Sequence, residues 1–123
     1  MGKEETRSTS CGVTLCMSMI GGPWKPIILF RISKGVNRFN KLVNEIEGIN
    51  RQMLSKQLKQ LERAGILERT QFPEIPPRVE YKLTTLGKSF LPVIQAMNRW
   101  GTKHQEGEVK PKEVGSQQLP LFE

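Results

Sequence analysis

The clearest pattern of apolar and polar positions runs from Gly48 to Leu67, GINRQMLSKQLKQLERAGIL. Leu54, Leu58 and Leu61 recur at helical spacing, Asn50 is placed to N-cap the run, and Gly65 supplies a left-handed stop. At about 100° per residue the leucines fall on one stripe. Gln52, Ser55, Lys56, Lys59 and Arg63 spread over the opposite face, with Glu62 at its margin. Upstream, Val13, Leu15, Cys16, Met17, Met19 and Ile20 predict a short helix from Cys11 to Ile20, stopped by Gly21-Gly22. A second, strongly apolar helix opens at Pro23, tolerates Pro26 in its first turn, and carries Trp24, Ile27, Ile28, Leu29, Phe30 and Ile32 towards Gly35. Asn37-Arg38-Phe39 reads as a short extended piece. Asn40 to Ile46 reads as a helix with Leu42, Val43 and Ile46 inward.

After Gly65 the period shortens to two. Ile66 to Phe72 reads as a strand, and Pro73-Glu74-Ile75-Pro76-Pro77 as a loop that cannot join a ladder. Arg78 to Leu83 alternates again, with Val79, Tyr81 and Leu83 on one face. Thr84 is placed to cap a last helix striped by Leu86, Phe90, Val93, Ile94, Met97 and Trp100. Pro92 kinks this helix or begins a second segment of it, and Gly101 is expected to end it.

This order of elements is a winged helix-turn-helix plan, mainly α with a small β-hairpin (α+β), dimerising through its terminal helices. The expected organisation is a flexible segment at 1–10, a winged-helix DNA-binding and dimerisation domain at 11–101, and a flexible polar tail at 102–123. A domain of this size leaves Phe90, Val93, Ile94, Met97 and Trp100 without a partner surface. Pairing them across a two-fold axis, with help from the first helix, gives a homodimer.

Charge sharpens the choice of partner. The chain of 123 residues has a net charge of +7, and eleven Lys/Arg stand against six Glu between Arg31 and Lys82. The excess therefore belongs to the folded part and favours a polyanion, either nucleic acid or an anionic membrane surface. No apolar run of about 18 residues exists to span a membrane. The start, MGKEETRSTS, lacks the apolar core of a signal peptide, so a cytoplasmic protein is expected. There is one histidine, His104, no Asp, and two cysteines, Cys11 and Cys16. That inventory argues against a metal site, a cofactor or a Ser-His-Asp triad, and hence against an enzyme. Cys11 and Cys16 diverge on one helix, which disfavours an internal disulfide and leaves one between subunits open.

Several segments together carry a family resemblance. They are Cys11 to Lys25 with its Gly21-Gly22-Pro23-Trp24, Arg38-Phe39-Asn40, Gly48 to Leu54, Pro76-Pro77-Arg78-Val79-Glu80-Tyr81-Lys82-Leu83-Thr84, and Leu86-Gly87. In these the chain resembles the HxlR-type winged-helix transcriptional regulators over about residues 11–101. The resemblance implies homodimers that bind DNA, some as repressors and some as activators. Several family members sense electrophiles or oxidants through a cysteine near the N-terminus, and Cys11, thirteen residues before Trp24, stands at that position. Asn50 replaces a frequent Ser and keeps its capping role, while Cys16 is not part of the family pattern.

Roles follow from these readings. Arg51, Gln52, Ser55, Lys56 and Lys59 are assigned to the major groove of double-stranded DNA at a pseudo-palindromic operator. Arg51 lies nearer the leucine stripe, so phosphate is its other candidate target. Arg78, the preferred wing contact, and Arg69 are assigned to the wing, and Arg38 and Lys41 to backbone phosphates. The competing reading pairs Arg78 with Glu74 or Glu80 and leaves the others solvated. Trp24 is either core or the wall of an effector cavity, with core preferred. Cys11 is either a sensor, with Lys25 or Arg7 supplying positive charge, or a small apolar residue that happens to be a thiol. Gln117-Gln118-Leu119-Pro120-Leu121-Phe122 resembles peptides that dock into sliding clamps. The preferred reading of that segment is a Leu/Phe cluster packed on the dimer or free. A winged-helix protein-interaction module without DNA is the alternative for the whole chain.

Overall fold

The computed structural model describes residues 11–105. In chain order the elements are α1 (Gly12–Ile20), α2 (Lys25–Ser33), α3 (Phe39–Glu45), α4 (Arg51–Arg63), β1 (Leu67–Phe72), β2 (Arg78–Leu83), α5 (Thr85–Ser89) and α6 (Leu91–His104). The segment at 1–10 and the peptide Gln117–Phe122 lie outside the described residues.

The leucine stripe forms as its spacing requires. Leu54, Leu58 and Leu61 are each no more than 1% exposed and meet Ile28, Leu29, Leu42 and Ile66 in one core. Asn50 Oδ1 accepts from the Met53 amide at 2.7 Å, satisfying one free donor of the first turn. At the far end Gly65 turns to φ +77°, and the Ile66 amide closes onto the Leu61 carbonyl at 2.9 Å. Between α3 and α4 the chain turns at Gly48, φ +89°, against the ring of Trp24. Trp24 is partly buried against the core, which is the preferred of its two readings.

β1 and β2 pair antiparallel in the register Leu67↔Leu83, Arg69↔Tyr81 and Phe72↔Arg78. The extended piece before α3 joins the hairpin edge through an Arg38↔Glu80 bridge and a Tyr81 amide bonded to the Asn37 carbonyl at 2.9 Å. Tyr81 and Leu83 face the core, while most of β1 beyond Leu67 is exposed.

The last helix departs from expectation in one respect. It does break, at Phe90, so that Pro92 falls in the first turn of α6, where its missing amide costs nothing. It does not stop at Gly101, however, but runs through it to His104. His104 stacks on Trp100 with ring centroids 4.2 Å apart, and its Nδ1 lies 2.9 Å from the Trp100 carbonyl. Those contacts hold one more turn than a glycine stop allows. No single helix among the described residues is long and apolar enough to cross a membrane.

Candidate nucleic-acid interface

Because the leucines fix α4 in rotation, its other face is presented outward. Gln52, Lys56 and Lys59 are exposed and Ser55 is half-buried. Across from them stands the hairpin, and an open concavity of about 870 Å³ lies between the two. Ser55 and Lys59 line one side, Arg38 and Lys41 the floor, and Arg69 and Arg78 the wing side. Two acids also border it, Glu62 on α4 and Glu74 at the loop. The structure thus gathers six of the nine expected DNA-contacting residues around one concavity, with Gln52 and Lys56 farther out on α4.

Three of the arginines are already engaged. Arg51 Nη2 donates to Asn40 Oδ1 at 2.7 Å and its guanidinium lies 5.1 Å from the Phe39 ring centroid. Its position near the leucine stripe ties it to the start of α3. Arg38 Nε reaches Glu80 Oε2 at 3.4 Å. Arg78 stacks over Phe72 at 4.1 Å, with Nη2 3.0 Å from Glu74 Oε2 and Nε 3.5 Å from Glu80 Oε2. Same-hairpin carboxylates hold Arg78 in this structure, and the exposed Arg69 makes no ion pair among the described residues.

The sequence offers Lys25 or Arg7 as a charge near Cys11, and the structure gives Lys25 other work. Its Nζ donates to Gln57 Oε1 at 2.9 Å and to Gln60 Oε1 at 2.6 Å, pinning the start of α2 to the inner flank of α4. Burial, then the nearby charge of Lys56, lowers its pKa. Residues 32 and 35 positions apart share no local sequence signal, so this anchor was invisible in the pattern.

The terminal helices present a second surface. Val93, Met97 and Trp100 on α6 are 44, 52 and 58% exposed, and Val13, Leu15 and Met17 on α1 are also exposed. A groove of about 380 Å³ runs between these helices, lined by Val13, Cys16, Met17, Val93 and Met97. Phe90 and Ile94, expected at the same interface, are instead buried in the protomer's own core. Their burial within one protomer corrects their assignment, although Met97 is their neighbour on the helix, three residues from Ile94 and seven from Phe90.

Cys11 stands exposed at the N-cap position of α1, its Sγ 3.2 Å from Thr14 Oγ1. That hydroxyl is the main cause of a lowered thiol pKa. Amide dipoles of the first turn add to it without a formed cap hydrogen bond. Lys25 does not supply the effect, since it is occupied at α4, and Arg7 lies outside the described residues. Among the described residues no three His, Cys, Asp or Glu side chains cluster as a metal site.

A helix-turn-helix with an exposed cationic reading face, completed by a two-stranded wing, defines the winged-helix class of transcription factors. Residues 19–109 match the HxlR-like helix-turn-helix family model, and the chain belongs to that family of transcriptional regulators. An HTH-type transcriptional regulator of Methanothermobacter thermautotrophicus is 41% identical over 106 residues, 82% of this chain and 81% of that one. The redox regulator HypR, solved in its oxidized form, is 35% identical with a TM-score of 0.74, covering 80% of this chain and all of that one. The reduced form of the transcriptional regulator YodB from Bacillus subtilis is 31% identical with a TM-score of 0.65, covering 81% of this chain and all of that one.

Proposed function

We propose that this chain is a homodimeric, sequence-specific DNA-binding regulator of the cytoplasm, responsive to oxidants or electrophiles through Cys11. The observation that carries the DNA half is the outward set Gln52, Lys56 and Lys59, facing away from fully buried leucines and flanking a concavity that also holds Arg69. In this docking α4 enters the major groove, Arg69 and Lys41 meet the backbone, and Gln52 reads a base edge. Arg38 and Arg78 reach phosphate by exchanging their carboxylate partners Glu74 and Glu80.

The exposed apolar residues of α1 and α6 support the dimer, since a second copy removes them from water. Two α4 helices roughly 34 Å apart then address a pseudo-palindromic operator. Selection of duplexes from a random pool, followed by titration at several salt concentrations, tests the reading. Gln52→Ala is expected to lose about 1–3 kcal/mol of discrimination at one base step, the value of a bidentate contact. Lys59→Ala is expected to weaken operator and random duplex alike and to lower the salt slope by about one. Equal behaviour of the two variants, or salt-independent binding, rejects this division of labour. A monomer by sedimentation rejects the dimer.

The sensor half rests on Cys11, and the similarity to HypR, a redox regulator, supports it. A lowered thiol pKa places more of the group as thiolate at neutral pH. Iodoacetamide should therefore modify Cys11 with a rate midpoint below that of an ordinary cysteine, and Thr14→Val should move the midpoint up. Mass spectrometry of pH-dependent alkylation checks both, and an unshifted profile in the parent protein discards the claim.

A further inference from the structure

A separate cavity of about 490 Å³ opens between α2, the residues just after α3, and α6. Its walls are mostly hydrocarbon, from Ile27 and Phe30 on α2, Ile46 beyond α3, and Ile94 and Met97 on α6. That volume falls in the range of pockets that hold small organic molecules. Arg31, in the last turn of α2, contributes the cation. Its Nε is shut off from solvent and has no hydrogen-bond partner, and no carboxylate forms an ion pair with it among the described residues.

A guanidinium is permanently charged and offers only donors, so a buried N–H without an acceptor is an incomplete arrangement. With Nε closed off, the other N–H groups of the guanidinium are the ones left to meet a ligand, and the acceptor that suits them best is a carboxylate, which can take a charge-assisted hydrogen bond. Glu47 also borders the cavity but is itself exposed and makes no ion pair among the described residues. Its negative charge at the rim works against a ligand with two acidic groups. The apolar walls likewise reject a small inorganic anion, which has nothing to bury against them. Asn98 offers one further hydrogen-bonding group.

We propose that this cavity binds a small monocarboxylic acid with an apolar body, its carboxylate on Arg31 and its hydrocarbon against Phe30, Ile46, Ile94 and Met97. The site lies apart from the outward face of α4, and its occupancy does not depend on whether that face binds DNA.

Calorimetric titration of the full chain with phenylacetate, benzoate and isovalerate tests the proposal, with phenylacetamide and phthalate as neutral and dianionic counterparts. At least one monocarboxylate should bind one per chain, at least about tenfold more tightly than its amide or the dianion. Arg31→Gln should bring acid affinity down to the amide level, and Arg31→Lys should restore part of it. If Arg31→Gln fails to fold, the acid-against-amide comparison on the parent chain still decides. Backbone amide shifts in the parent spectrum should then cluster at Ile27, Ile46 and Ile94. No saturable binding of any of the three acids at about 5 mM overturns the proposal. So do equal affinities for acid and amide, or shifts confined to other regions.

Discussion

Leu58→Ala is expected to cost about 3–5 kcal/mol of folding stability, a fifth or more of what a domain of this size usually has. Leu58 is 1% exposed and sits in the middle of the seam between Leu54 and Leu61. Truncation removes its transfer free energy and leaves a cavity that neighbours on α2, α3 and β1 cannot close without breaking their own contacts. Urea denaturation should show a lower midpoint with an unchanged slope. Duplex binding should fail in proportion to the unfolded fraction and recover at lower temperature. A loss under about 1 kcal/mol means that the seam is not packed as described.

Gly87→Ala is the second large effect, and its sign runs against helix propensity. An alanine inside a helix ordinarily gains up to about 1 kcal/mol over glycine. Here the added methyl would land on the Ile66 carbonyl, with Leu83 Cδ2 only 3.1 Å away. The same carbonyl accepts from the Thr84 amide at 3.1 Å, so it is not free to retreat. Overpacking of this kind costs about 1–3 kcal/mol. Gly101→Ala is the control, since nothing lies within 4 Å of that position and the backbone is already helical. It is expected to be neutral or to stabilise by a few tenths of a kcal/mol to about 1. If both alanines shift the denaturation midpoint in the same direction, the close approach of α5 to Ile66 is wrong.

Much of the fold was legible because its determinants are local. The leucine spacing, the Asn50 cap, the Gly65 stop and the alternation of Val79, Tyr81 and Leu83 each act within a few residues, and the elements formed accordingly. Local signals could not say which half of a wide apolar stripe meets the protomer's own core. Ile94 went inward and Val93 outward, one residue apart. Nor could they pair polar side chains, for Arg38 meets Glu80 across 42 positions and Lys25 meets Gln57 across 32. Arg78 was the exception in principle, because Glu74 lies four residues away and Glu80 two. Gly101 misled because a glycine stops a helix only when nothing beyond it is worth ordering, and the Trp100–His104 stack supplies that reason.

The attachment of α4 to the rest of the molecule uses one set of residues and its outward display another. Leucines, Asn50 and the Lys25–glutamine clamp hold it in place, while Gln52, Lys56 and Lys59 take no part in that grip. Such a division lets the outward set drift through many chemistries while the scaffold stays folded. A lineage carrying this architecture can acquire new recognition habits one substitution at a time, without passing through a chain that does not fold.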